Sequence, residues 1–289
     1  MFEKVRQNLS GSELSIAWSY LKHDKLSFGA LGFVVALILV AIFANIVSPY
    51  DPLAQTLDRR LEAPSLEHPF GLDEFGRDIL SRLIHGSRIS LAVGFVVILI
   101  ALVSGSIIGS IAGYFRGKVD MVLMRIADIF LSFPGLILAI GIMAVLGQSI
   151  FNVMAALSLV SWPGYARVIR GQVLNIRQLE YVEAAKVMGS PSSTIIVSHI
   201  LPNSFAPIIV LATIGTGWAI LAEAGLSFLG LGVGPPNPSW GSMVASGRMY
   251  ITLAPHISAF SGVMIAATVM AFNLLGDGLR DALDPKMRI

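Results

Sequence analysis

The strongest constraint on this chain is a set of long stretches with no charged residue. Residues 26–50 carry none, and neither do the stretch between Arg88 and Arg116 and the stretch 129–166. A helix needs about 20 apolar residues to cross a hydrocarbon core about 30 Å thick. The third stretch is too long for one crossing. Its middle holds Gly147, Gln148, Ser149 and Asn152, polar enough for a tight turn, so it reads as two helices, at 121–146 and 150–166. A fifth span is expected at 203–230 and a sixth at 256–275. Of 289 residues 55% are hydrophobic and 13% charged, about half the charge of a typical soluble domain. A soluble chain so apolar would expose large greasy patches. The fold class that follows is all-α integral membrane, with about six transmembrane helices. The first span follows about 25 polar residues and exceeds the apolar core of a cleaved signal. It is read as a retained anchor at about 27–48.

Basic residues set the orientation. With the N-terminus inside, fourteen of the twenty lysines and arginines fall on inner segments, and six (Arg59, Arg60, Arg77, Arg82, Arg88, Arg248) fall on outer ones. The positive-inside rule therefore places both termini in the cytoplasm. Residues 1–25 mix charge with Leu9, Leu14, Ile16, Trp18 and Tyr20, a pattern open to an interfacial helix or a frayed tail. An outer segment at 49–88 is punctuated by Pro49, Pro52, Pro64 and Pro69 and gains a helical rhythm after Asp78. A second outer loop, 231–255, is rich in glycine and proline and carries Trp240 and Tyr250, which suit an interfacial belt. In span two, Gly105, Gly109 and Gly113 recur every four residues. That spacing puts a flat groove on one helix face, where another helix can approach closely.

Catalytic patterns are missing. There is no cysteine, no close pair among the five histidines, no nucleophile elbow and no phosphate-binding loop. The chain is expected to be no enzyme, to hold no metal or cofactor, and to take energy for transport from a partner or an ion gradient. Two acids fall inside the expected spans. Asp128 lies near the inner face, where Arg125 or a partner chain would neutralise it. Glu223 lies in the outer half, a candidate for the pathway or outer gate.

The inner stretch 167–202 is amphipathic and too polar to cross. Glu180, Glu183, Ala184 and Ala185 favour helix; Gly189 is placed to end it, with Pro191 two residues on. A second short helix is expected from about Ser192, capped by Ser192 or Ser193, with Pro202 opening span five. Glu183-Ala184-Ala185, three residues, Gly189, nine residues, then one position, another, and Leu201-Pro202 resembles the EAA motif of permease subunits in ATP-binding-cassette importers. His199 stands where the general pattern has isoleucine; the peptide-importer branch is similar there.

The resemblance continues through 71–91 (GLDEFGRDILSRLIHGSRISL), Arg125 to Asp128 with Ser132-Phe133-Pro134, 226–232, 238–241 and 273–285. It resembles dipeptide, oligopeptide and nickel permeases of the type with an extra N-terminal region. It implies a type I importer permease fold in a bacterial inner (plasma) membrane, divided into a region 1–87 with the first span, a core 88–277 with five spans, and a tail 278–289. It also implies a second homologous permease, one or two cytoplasmic ATPase subunits carrying ATP and magnesium, and an outer substrate-binding protein; a nucleic-acid partner is not expected. Glu180, Glu183, Ala184, Ala185, Gly189, Leu201 and Pro202 would couple to the ATPases. Di- or oligopeptides are the expected substrates, with nickel, a metal–chelator complex or glutathione as alternatives. An ion-coupled carrier is the alternative outside the family.

Overall fold

The computed structural model describes Trp18 and residues 21–283. The first 25 residues, open in sequence to an interfacial helix or a frayed tail, lie largely outside them, as does the end of the tail. Among the described residues the chain is helical, with no strand beyond an isolated bridge between Leu72 and Asp78.

Helix α1 (Lys25–Ile42) is capped by Asp24, whose carboxylate accepts from the amides of Leu26 and Ser27 at 3.1 and 3.3 Å, satisfying donors that an α-helix leaves orphaned. A short turn of helix (Ala44–Val47) follows. Helix α2 (Ile79–Phe115) is capped by Asp78, which accepts from the Ser81 amide at 2.7 Å. At 37 residues it is about 55 Å long, so the rhythm after Asp78 and span two are one rod that overshoots the bilayer. It stops at Arg116 and Gly117, both at positive φ.

The expected third span is not one straight helix. α3 (Gly117–Leu131) and α4 (Gly135–Leu146) meet at 84°. Pro134 causes the break, because a proline disfavours helical backbone at the residue before it, here Phe133. α5 (Ile150–Ile176) runs ten residues past the expected end of span four, and α6 (Glu180–Val187) follows. α7 (Phe205–Phe228), α8 (Trp240–Gly247) and α9 (His256–Leu283) complete the order; α9 carries helix six residues into the expected tail. Among the described residues, four helical runs are long and apolar enough to cross a membrane: α1, α2, the run 192–228 that contains α7, and α9. The bent α3–α4 pair makes five. The remaining expected span, α5, is 27 residues long but less apolar, diluted by Asn152, Ser158, Ser161 and two arginines at its inner end.

Two large cores hold the described bundle, and a small cluster of Ala127, Trp162 and Ala166 seats α3 on α5. One large core joins α2, α4, α5, α6 and α7 through residues such as Val97, Met143, Leu157 and Ile169. The other joins α1, α2, α8 and α9 through Val34, Leu83, Trp240 and Phe272. The tightest seam lies between α2 and α5. A Cβ at Gly105 would come within 2.6 Å of Tyr165 Cβ, one at Gly113 within 2.8 Å of Val173 Cβ, and one at Gly109 would collide with the Ala166 carbonyl oxygen. All three glycines face α5, and the groove brings the backbones of the two helices together.

Candidate functional site

The inner end of α5 leads into a compact hairpin. Arg177, its C-cap, donates to the Tyr114 carbonyl at 2.6 Å and ties the inner ends of α5 and α2 together. After two residues α6 begins, with Glu180 and Glu183 in its first turn and Lys186 in its last. That arrangement complements the helix dipole at both ends. Only Val182 and Ala185 are buried on α6, three residues apart, packing into the core that holds Ile176, Ile195 and Ile200. Glu180, Glu183 and Ala184 face outward. The two neighbouring alanines thus do different jobs: Ala185 seats the helix, and Ala184 leaves a shallow, side-chain-poor spot on its free face.

Gly189 ends α6 in a Schellman arrangement. Its amide donates to Lys186 O and that of Ser190 to Ala185 O, both at 3.1 Å, with Gly189 at φ +82°. A Cβ there would touch nothing within 4 Å, so the demand for glycine comes from backbone conformation alone. Beyond the turn the structure departs from expectation. Pro191, not Ser192 or Ser193, is the N-cap, and no side chain caps the helix. Instead of a separate helix before Pro202, one helical run continues from Ser192 to Phe228. It widens into a π turn at Ile195–Ile200 and tightens at Pro202–Ser204 before α7. Proline lacks an amide and crowds the preceding turn; the wide turn, closed by Leu201 N to Ile196 O at 2.9 Å, relieves that crowding. Leu201 is half-buried and Pro202 exposed. Around the acidic face of α6 sit Leu179, Tyr181, Val187, Met188 and Val197, all exposed, Met188 at 79%. An apolar patch rimmed by charge, beyond the inner ends of the spans, has the character of a protein-docking surface.

The other expected acids are placed differently from the sequence reading. Asp128 pairs with Arg167, Nη2 to Oδ1 at 2.6 Å, not with Arg125. Glu223 is wholly buried within the chain. Its Oε1 accepts from Ser227 and Ser239 hydroxyls at 2.7 and 2.9 Å, while Oε2 has no partner among the described residues. Ser239 caps α8, its hydroxyl accepting from the Ser242 amide at 3.1 Å. Glu223 therefore fastens α8 to α7. Trp240 is not in an interfacial belt either: it is fully buried, and its indole donates to Leu83 O of α2 at 3.0 Å. Sequence reasoning missed a groove of about 800 Å³ between α7 and α9, lined by Leu221, Phe228, Val269 and Met270 with Asn273 and Asp277. Its residues come from separate spans, so no contiguous motif announces it.

Comparison with known proteins bears on the whole chain. Residues 105–289 match the model of the family described as binding-protein-dependent transport system inner membrane component, and residues 12–64 that of the N-terminal transmembrane domain of oligopeptide transport permease C. The chain is 46% identical to the dipeptide transport system permease protein DppC of Alkalihalophilus pseudofirmus, over 94% of this chain and 90% of that protein. It is 43% identical to the glutathione transport system permease protein GsiD of Pectobacterium atrosepticum and 44% to that of Escherichia coli, with the same coverage. Among solved structures, an inward-facing MetNI methionine ABC transporter matches with a TM-score of 0.56 at 20% identity, covering 71% of this chain and 96% of that one; this likeness concerns the fold.

Proposed function

The chain belongs to the family of binding-protein-dependent transport system inner membrane components, and we propose that it is one of two permease chains in an ATP-driven importer of di- or oligopeptides. As a member of that family it is a multi-pass inner-membrane protein and no enzyme itself. The observation that carries the coupling role is the inner hairpin. Glu183, Ala184 and Gly189 stand on a short helix whose outward face is free and whose inward face is seated by Val182 and Ala185. On this reading a cytoplasmic ATPase pair receives that face, and ATP with magnesium is held there, not in this chain. Closure of the pair moves α6, and through it the run 192–228. An outer binding protein delivers substrate, and a second permease chain completes the path across the apolar groove between α7 and α9.

Glutathione is the second reading for substrate, favoured by identities to glutathione permeases nearly as high as to the dipeptide permease. Glutathione is itself a tripeptide, so both readings describe short peptides. The test has two parts. The tagged chain, purified in mild detergent, should carry a second permease and an ATPase. Glu183→Arg and Gly189→Pro should abolish peptide uptake while leaving the chain in the membrane. Normal uptake by both variants would remove the coupling role, and a chain that purifies alone even with nucleotide present would remove the importer reading.

A further inference from the structure

We propose that the inner cleft between α3 and α5 binds the headgroup of an anionic phospholipid, with one acyl chain lying along α3. The cleft has a volume of about 340 Å³ and is lined by Arg125, Arg167 and Arg170 together with Asp120, Asp128 and two methionines. Arg170 is spent: its Nε and Nη2 form a two-pronged pair with Asp120 at 2.5 and 2.6 Å. Arg167 gives a single bond to Asp128 and keeps other donors free, its side chain 55% exposed. Arg125 is exposed and makes no hydrogen bond or ion pair with any described residue. Three cations against two anions leave one positive charge and a fan of unused guanidinium donors, the chemistry that grips a phosphodiester.

Depth and shape select a lipid over a soluble anion. Arg167 and Arg170 lie 17 and 20 residues beyond Ile150 on α5, about 26–30 Å along the helix. That is the inner boundary of the hydrocarbon core, where basic clefts between spans meet headgroups. α3 is the most strongly amphipathic of the described helices. Val122, Ile126 and Ile129, at i, i+4 and i+7, form an exposed apolar stripe beside Arg125, leading from the cleft towards the middle of the membrane. A headgroup at Arg125 and Arg167 would place an acyl chain on that stripe.

The proposal rests on the inner-membrane reading and on the orientation with both termini inside. The test uses the full-length chain with its co-purifying partners, stripped of lipid by detergent exchange and titrated with phosphatidylglycerol or phosphatidylcholine under native mass spectrometry. Phosphatidylglycerol should bind in preference to phosphatidylcholine, and excess inorganic phosphate should not displace it. Each basic residue near an anionic headgroup contributes about 1 kcal/mol. Arg125→Gln should therefore weaken phosphatidylglycerol binding about fivefold, and Arg125→Glu on the order of 30-fold. Because Arg125 holds no partner among the described residues, both variants should fold. Unchanged phosphatidylglycerol binding by both would overturn the proposal. So would displacement by inorganic phosphate, which makes the site one for a free anion, or loss of the second permease from Arg125→Gln with lipid retained, which makes it a subunit contact. An absent ATPase would be seen in the same spectra and would count against the importer reading alone.

Discussion

Replacing Gly109 by alanine sets two measurable terms against each other. Within a helix, alanine is favoured over glycine by about 0.5–1 kcal/mol, because glycine loses more backbone freedom on folding. At position 109 the new Cβ would lie closer to the Ala166 carbonyl oxygen than real Cβ atoms come, and 3.1 Å from both Ala166 C and Arg170 N. The obstacle is backbone, so no rotamer change relieves it; α2 and α5 must separate. Forcing extra volume into a packed interface costs about 1–3 kcal/mol, so Gly109→Ala should destabilise by about 1–2 kcal/mol net. Gly141, exposed on α4 with nothing within 4 Å of its would-be Cβ, supplies the control: Gly141→Ala should stabilise by about 0.5–1 kcal/mol. Equilibrium unfolding of the two variants in one detergent, followed by tryptophan fluorescence or by a thermal shift, reads the difference. If both substitutions move stability in the same direction, the α2–α5 seam is not the close backbone contact described.

Three further expectations follow from other parts of the bundle. Trp240→Phe removes the indole donor to Leu83 O, a second bond on a carbonyl that keeps its partner within α2, which should cost about 0.5–1.5 kcal/mol in the same unfolding assay; an effect near zero would detach α8 from α2. Gly189→Ala, strained at φ +82° but free of steric contact, should cost about 1–2 kcal/mol, felt as faster proteolysis at the inner hairpin and little change in global unfolding. Glu74, in the outer cluster with Asp73, Arg77 and Arg82, has its pKa raised by burial and by the Asp73 charge. A raised carboxylate pKa costs stability above the folded-state value, and that cost is lost as pH falls below the unfolded one. Wild type should therefore gain stability relative to Glu74→Gln as pH drops through the carboxylate range, and a constant difference would contradict this placement.

Local chemistry was the legible part of this chain. The apolar runs gave the spans because the bilayer demands a fixed length of apolar helix. Gly189 was readable as a helix end because a left-handed C′ position favours glycine whatever surrounds it. The glycines at 105, 109 and 113 announced a groove, although not that α5 fills it. Long-range choices were hidden. Asp128 finds Arg167, 39 residues away, whereas neighbour logic pointed to Arg125 three residues back. Trp240 has the composition of a belt residue and the fate of a core one, because Leu83 and Ser90, some 150 residues earlier, bind its indole and its amide. The bend at Pro134 was available from the proline rule but masked by uninterrupted hydrophobicity, which is blind to backbone direction.

The run 192–228 links the two ends of the molecule that matter most. At 37 residues it is about 55 Å of continuous helix, reaching from the turn at Gly189 to the buried knot of Glu223, Ser227 and Ser239 that holds α8. A displacement of α6 enters the run across a small seat, Val182 and Ala185 against Ile195 and Ile200, so little packing must be broken for the hairpin to move. The π turn at Ile195–Ile200 and the 3₁₀ turn at Pro202–Ser204 interrupt the regular α-helical ladder, which makes this section the natural point of flexure between hairpin and span. Above it α7 is stiff, and its outer end cannot shift without carrying α8, because Glu223 and the capping serine join them. On the importer reading, one rod with a compliant base and a fixed head is what lets an event at the cytoplasmic surface be felt at the outer mouth.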